Sequence, residues 1–386
     1  MWLSTALILG MVLSTHYPVS AASASTVNVQ YESRFMSDHP EWTPDVRIEN
    51  GRVLLPLRDL ASLLQLSVQW DQERKTATLV QPGRELKLST RTNEVVSDGR
   101  VRKLDVPLTI RKQRIYVPVR FVAEWFDGEA VWDAKTRTVL IKDNSPFISA
   151  SLGREMYWCD HLNGALYRSI GARMPVRLGS FKVPAGSGTE PAFSTITVEQ
   201  ATDSNRRLNI HLTVHGAGLG EGTHVLHGLF LKDGQILHHA ELEYSGIYPF
   251  RHTDRYGGNA ILSDGSLVRL VDPEGNIVTT HDLQALTGIE DRLMVERLTD
   301  RYILARPFKT PYLVLIDLVR QESFKLYQLF YSEEEQAVFE NVGYWSSEFF
   351  HYFDLQLEKE EDGTLYFISR SIESGETRTY TYTIGQ

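Results

Sequence analysis

Apolar and polar residues alternate one by one through most of this chain. The alternation in "TATLV" (76–80), "LNIHLTVH" (208–215) and "GTLYFISRSIESGETRTYTYTI" (363–384) predicts strands with one face buried and one face wet. Two short stretches keep a different period. Leu57, Leu60, Ala61 and Leu64 recur at helical spacing, as do Val119, Val122, Ala123 and Phe126. Each helix is too short to be stable alone, so its apolar stripe must pack on a sheet.

The two helical stretches belong to one phrase written twice. "RVLLPLRDLASLLQLSVQWDQERKTATL" (52–79) aligns without a gap over "RIYVPVRFVAEWFDGEAVWDAKTRTVLI" (114–141). Identities fall at Arg52/Arg114, Pro56/Pro118, Arg58/Arg120, Ala61/Ala123, Trp70/Trp132, Asp71/Asp133 and Thr76/Thr138. A gapless match over both apolar and turn positions marks an internal repeat. In each copy a strand runs into Pro56 or Pro118, expected at the first helical position, where the missing N–H costs nothing. The pair Asp127-Gly128 is expected to end the second helix, with Gly128 in the left-handed conformation. Trp70 and Trp132 end a strand, and Asp71 and Asp133 open the turn of a hairpin. "SDGR" (97–100) reads as a further hairpin turn between the copies. Arg58 and Arg120 sit in a helix first turn, where the dipole disfavours a cation. Pairing of each with the Asp of a Trp-Asp turn is the expected compensation; the alternative is that both face outward and hold an anionic ligand. Pro56, Arg58, Trp70, Asp71, Pro118, Arg120, Trp132 and Asp133 are therefore assigned as the framework of the repeat.

The strand-to-helix "LPLR" and "VPVR" steps, each followed by "WD" and then Lys-Thr or Arg-Thr, resemble the copper amine oxidase N-terminal domain, also called the stalk domain. The resemblance covers about a quarter of the chain. It implies a small α/β module, an antiparallel sheet wrapping a helix, that serves as an appendage and holds no metal. Such modules recur in secreted and envelope proteins of spore-forming, Gram-positive bacteria. Oxidase activity is not implied: the chain contains neither an Asn-Tyr pair for a quinone precursor nor a His-x-His pair for copper.

After "KDNSPF" (142–147) the rhythm becomes that of an all-β domain. Four stretches, 228–242, 265–283, 311–329 and 363–384, each repeat an apolar strand, a polar turn and an alternating strand. Asp233, Asp272 and Asp317 mark three of the turns, at the spacing of four-stranded propeller blades. "REMYWCDHLNGALYRSI" (154–170) reads as a first hairpin, and the length allows about five blades. The Gly/Pro-rich stretch 174–207 is expected to be an insert that breaks the rhythm. A β-sandwich is the competing architecture.

Charge divides the chain at the same place. Residues 45–143 carry eighteen Lys/Arg against fourteen Asp/Glu, whereas 144–386 carry twenty-one against thirty-two. The overall net charge of −9 disfavours nucleic acid as a partner. Residues 1–24, free of Lys, Arg, Asp and Glu and rich in apolar side chains, read as a signal peptide, followed by a linker at 25–44. No later segment is apolar enough for a transmembrane helix. The expected localisation is thus secreted and envelope-associated. The expected organisation is a duplicated stalk-like module at 45–143 and a propeller-like domain at 144–386.

Chemistry leaves little trace. Cys159 is the single cysteine, so no intramolecular disulfide forms, and it is expected to be a small buried residue. No Gly-x-Ser-x-Gly elbow, Walker loop or His-Glu-x-x-His occurs. Histidines crowd between His211 and His239; strand alternation puts His211 and His215 on one face, which makes them the candidates for a metal. Solvated strand histidines are the competing reading, and no cofactor is expected. The aromatic run "GYWSSEFFHYF" (343–353) is read as strand core, with a carbohydrate or peptide groove as the alternative. These features predict a non-catalytic envelope protein whose stalk-like module positions a β-rich domain for a wall polymer, glycan or envelope protein. The alternative is a secreted hydrolase or lyase acting on wall polymer or glycan.

Overall fold

A computed structural model describes residues 27–33, 45–97, 100–104, 106–184, 194–215, 222–246, 251–309, 312–341, 355–370 and 375–386. The signal-peptide stretch, the turn residues Asp98 and Gly99 and the aromatic run 343–353 lie outside them. Strands dominate, as the alternation predicts.

The first part contains β1 (Asn28–Ser33), β2 (Arg47–Glu49), β3 (Arg52–Pro56), α1 (Leu57–Leu63), β4 (Ser67–Asp71), β5 (Thr76–Gln81), β6 (Arg84–Ser89), β7 (Glu94–Ser97), β8 (Arg100–Lys103), β9 (Thr109–Arg111), β10 (Arg114–Pro118), α2 (Val119–Trp125), β11 (Glu129–Asp133) and β12 (Thr138–Asp143). They form three sheets, in the orders β2-β3-β10-β9, β4-β5-β6-β7-β8 and β1-β12-β11. The first sheet is a palindrome. Leu55 and Val117, equivalent residues of the two copies, pair with each other across β3 and β10. A local two-fold axis therefore runs between them, and β2 and β9 are equivalent strands on opposite edges. One buried cluster takes Leu57, Leu60, Ala61 and Leu63 from α1 and Val119, Val122 and Ala123 from α2, and so joins the two copies.

The repeat reaches down to single backbone angles. Left-handed φ values occur at Asn50 and Lys112, Gly51 and Gln113, Gln65 and Asp127, and Lys75 and Arg137, each pair sixty-two residues apart. Only one of these eight is a glycine, so the turns, not residue type, impose the conformation. Three expectations change here. Pro56 and Pro118 are not the first helical residues: with ψ of 130° and 118° they are extended N-caps that still pair within the sheet. The left-handed residue after α2 is Asp127, not Gly128. Gly128 is demanded by close packing, since a Cβ there would lie 2.7 Å from the Lys142 carbonyl oxygen and 3.2 Å from that of Ala123. The stretch expected to be a linker, 25–44, contains β1, which pairs in parallel with β12 from Asn28↔Thr138 to Ser33↔Asp143. In the first copy β6 covers the equivalent edge, of β5. In the second copy β1 takes that place and removes an open edge.

The remainder contains β13 (Phe147–Leu152), β14 (Glu155–Asp160), β15 (Ala165–Ile170), β16 (Val176–Ser180), β17 (Thr195–Gln200), β18 (Arg206–His215), β19 (Gly222–Lys232), β20 (Gln235–Gly246), β21 (Arg255–Tyr256), β22 (Asn259–Ser263), β23 (Leu267–Val271), β24 (Ile277–Asp282), α3 (Leu283–Thr287), β25 (Leu293–Leu298), β26 (Tyr302–Pro307), β27 (Val314–Asp317), β28 (Glu322–Lys325), α4 (Leu326–Phe330), α5 (Glu333–Asn341), β29 (Gln356–Glu361), β30 (Thr364–Arg370) and β31 (Thr377–Thr383). They form four antiparallel four-stranded meanders in strict chain order, β13 to β16, β17 to β20, β21 to β24 and β25 to β28, followed by β29-β30-β31. Buried clusters join each sheet to the next along the chain: Tyr157 with Leu208, Phe230 with Ala260, Ile261 with Ile303, and Leu304 with Phe367. Successive meanders stacked side by side make a propeller-like domain; a sandwich would divide the strands between two sheets.

Asp233 and Asp272 lie between the third and fourth strands of a meander, and Asp317 ends the third strand of the fourth meander. Asp233 and Gly234 both take left-handed φ, as a two-residue hairpin turn requires. Asp317 is fully buried and accepts from Val319 N, Arg320 N, Gly385 N and the Tyr382 hydroxyl, which ties β27 to the last sheet. The stretch 174–207 is not a simple insert: β16 and β17 lie within it, and residues 185–193 between them are outside the described residues.

Candidate functional site

The strongest candidate surface is doubled. On one side of the module a cleft of about 730 Å³ is lined by Pro56, Leu57, Arg58, Val68 and Trp70 of the first copy and by Gln113, Arg114 and Ile115 of the second. On the other side a cleft of about 540 Å³ is lined by Pro118, Val119, Arg120, Ala130 and Trp132 of the second copy and by Gly51, Arg52 and Val53 of the first. Every residue in the first set maps onto its partner in the second by the same sixty-two-residue step. The local two-fold generates the second cleft from the first. Each cleft has an indole wall, a proline at the helix entrance and a guanidinium at the rim.

The expected Arg–Asp pairs are absent. Asp71 accepts from Glu73 N and Arg74 N and faces the Arg74 guanidinium at 3.2 Å, and these contacts hold its carboxyl below the usual range. Asp133 is likewise taken by the Thr136 hydroxyl and Lys135 N. Both aspartates serve their own turns, so neither is left for Arg58 or Arg120. Arg120 is exposed, donates to the Ala130 carbonyl at 3.3 Å and stands 3.9 Å from Glu124. Arg58 is exposed and, among the described residues, has no hydrogen-bond or ion-pair partner. A cation kept in the first turn of a helix, without a partner, faces outward into a cleft.

The module is seated on the β-domain by a buried joint. Trp158 of β14 is fully buried, packs with Val80 and Ala172, and donates its indole N–H to the Gln65 carbonyl at 2.7 Å. Gln65 is the left-handed residue after α1, so the repeat's own turn presents that carbonyl. Asp143, at the end of β12, accepts from Ser145 N and from the Tyr31 hydroxyl, and burial pushes its carboxyl up.

Histidines gather on the β17–β20 sheet, on both faces. On one face His211 Nε2 meets His224 Nδ1 at 3.1 Å, with the Thr213 hydroxyl beside both. Burial, helped by the neighbouring His224, pulls His211 down to about 4. This face borders a cavity of about 230 Å³ that also includes His252 and Asp254. His211 is thus set against a cross-strand neighbour; His215 ends β18 opposite Gly222, and its side chain lies outside the described residues. On the other face His227, His239 and Glu241 converge, a group that reading along one strand did not find because it spans β19 and β20. Cys159 is fully buried, and burial raises its thiol to about 12, so it is inert as a nucleophile at neutral pH.

The doubled strand-helix-hairpin and its palindromic sheet decide the first part. Residues 41–141 match the copper amine oxidase N-terminal domain. No curated protein matches the chain. Among solved structures, a protein of unknown function from Bacteroides caccae is 13% identical, covering 77% of this chain and 83% of its own, with a TM-score of 0.21. The Pan2 WD40 domain of Neurospora crassa is 11% identical, covering 67% and 64%, with a TM-score of 0.18. At these scores the propeller-like assignment rests on the strand order and the sheet-to-sheet clusters.

Proposed function

We propose that this is a non-catalytic envelope protein whose duplicated module grips an anionic wall polymer or glycan and holds the propeller-like domain in a fixed attitude for a partner. The observation that carries the reading is the pair of equivalent clefts, each with an outward arginine beside a tryptophan. Indole faces receive sugar rings, and a guanidinium forks onto carboxylate or phosphate. Two clefts related by a two-fold have opposite polarity, so a chain entering both runs antiparallel segments and is cross-linked. The excess of base over acid in residues 45–143 favours the same ligands.

The test is sedimentation with purified wall polymer, comparing the unaltered chain with Arg58→Ala, Arg120→Ala and the double variant. Loss of one cleft abolishes bivalency, so each single variant weakens retention by at least about tenfold and the double variant removes it. Equal retention of all four proteins rules the clefts out.

A further inference from the structure

We propose that His227, His239 and Glu241 form a three-ligand site for a divalent transition-metal ion of the zinc class, with a fourth coordination position open to solvent. The site lies on the β19–β20 hairpin and is independent of the module's clefts.

Register brings the three together. His227 pairs directly with Glu241 across β19 and β20, and His239 pairs with Leu229, two residues along the same face. His227 Nδ1 stands 3.1 Å from His239 Nε2 and 3.9 Å from Glu241 Oε2, and one ligand atom from each residue lies within 4.8 Å of the other two. Two imidazole nitrogens about 2.0–2.1 Å from zinc at tetrahedral angles sit roughly 3.3 Å apart. The histidine nitrogens thus already have the bite of a metal chelate, and the carboxylate needs only a side-chain adjustment, which its half-exposed position permits.

The proton inventory argues the same way. His227 Nε2 lies 2.8 Å from the Lys182 carbonyl, which can only accept, so that nitrogen carries the proton. Nδ1 is the ring nitrogen left to face the site, 3.1 Å from His239 Nε2, which donates to it, and 3.9 Å from Glu241 Oε2. A metal ion bound there replaces the hydrogen bond between the two histidines and takes a lone pair from each ring and from the carboxylate. A ring whose far N–H is pinned by a backbone carbonyl is also the usual outer-sphere support of a metal-bound histidine. Phe181, with its centroid 5.3 Å from the His227 ring and 4.9 Å from that of His239, walls one side. His239 is exposed, so the remaining position faces solvent. A set of two nitrogens and one oxygen with a free position accepts water or a donor atom from a bound ligand.

Calorimetric titration of the full chain with Zn²⁺, repeated with Co²⁺ while recording visible absorption, tests this directly. His239→Ala and Glu241→Gln are surface substitutions, and circular dichroism checks that both variants fold. The expected result is one saturable ion per chain, a tetrahedral Co²⁺ spectrum, and at least fivefold weaker binding in each variant. His238→Ala, whose ring lies on the opposite face against the Gly275 carbonyl, leaves binding unchanged. Absence of saturable uptake overturns the site, as does a change smaller than fivefold in either variant or an equal loss in His238→Ala.

Discussion

Replacing Trp158 tests whether module and β-domain form one body. The side chain is fully buried between Val80 of the module and Ala172 of the first meander, with Phe147, Met156 and Tyr167 packed around it. Removing a buried tryptophan down to alanine costs about 3–5 kcal/mol through lost transfer energy and the cavity left behind. Trp158→Phe keeps most of the ring but strands the Gln65 carbonyl, which costs about 1–3 kcal/mol for an unsatisfied buried acceptor. Urea unfolding is followed by far-ultraviolet circular dichroism and by proteolysis of the segment between β12 and β13. The unaltered chain should unfold in one transition. Trp158→Ala should lose several kcal/mol, split the transition into two, and become cleavable at 144–146 before either part unfolds. A loss below about 1 kcal/mol with a single transition would refute the joint.

Further expectations follow from individual contacts. Burial raises the Asp317 carboxyl, but the N–H groups of Gly385, Arg320 and Val319 outweigh it and leave the pKa below its usual value. Its stabilisation is therefore complete above the unfolded carboxyl pKa and is lost as pH falls through the lower folded value; Asp317→Asn should flatten stability over that acid range in a melting-temperature series. His211, depressed to about 4, should stay neutral in a histidine NMR titration down to that pH. The unfolded chain takes that proton near 6.5, so stability should fall between pH 6.5 and 4 and fall less in a His211→Asn variant. Gly128→Ala sets a Cβ 2.7 Å from the Lys142 carbonyl and should cost about 1–3 kcal/mol in chemical denaturation.

Local pattern was readable wherever the physics was local. The sixty-two-residue repeat, the two short helices and the Asp-marked turns 233, 272 and 317 follow from alternation and turn chemistry over a few residues. What escaped was non-local. Nothing in "NVQYES" announces a parallel partner more than a hundred residues away; β1 is fixed only by the open edge that β12 presents. Charge alone assigns the framework aspartates to Arg58 and Arg120, yet backbone N–H groups two and three residues ahead reach Asp71 first. Among the histidines, reading along β18 favoured His211 with His215, whereas the group of three depends on how β19 and β20 are registered. Cross-strand register is a property of the sheet and cannot be counted along one strand.

The central claim is that the molecule holds without cutting. Incubation of the purified chain with intact wall polymer, measuring bound protein and soluble fragments in the same samples over time, tests it most directly. The account predicts saturable binding with fragment release no greater than in protein-free controls. Fragments that accumulate with time in proportion to added protein would contradict it.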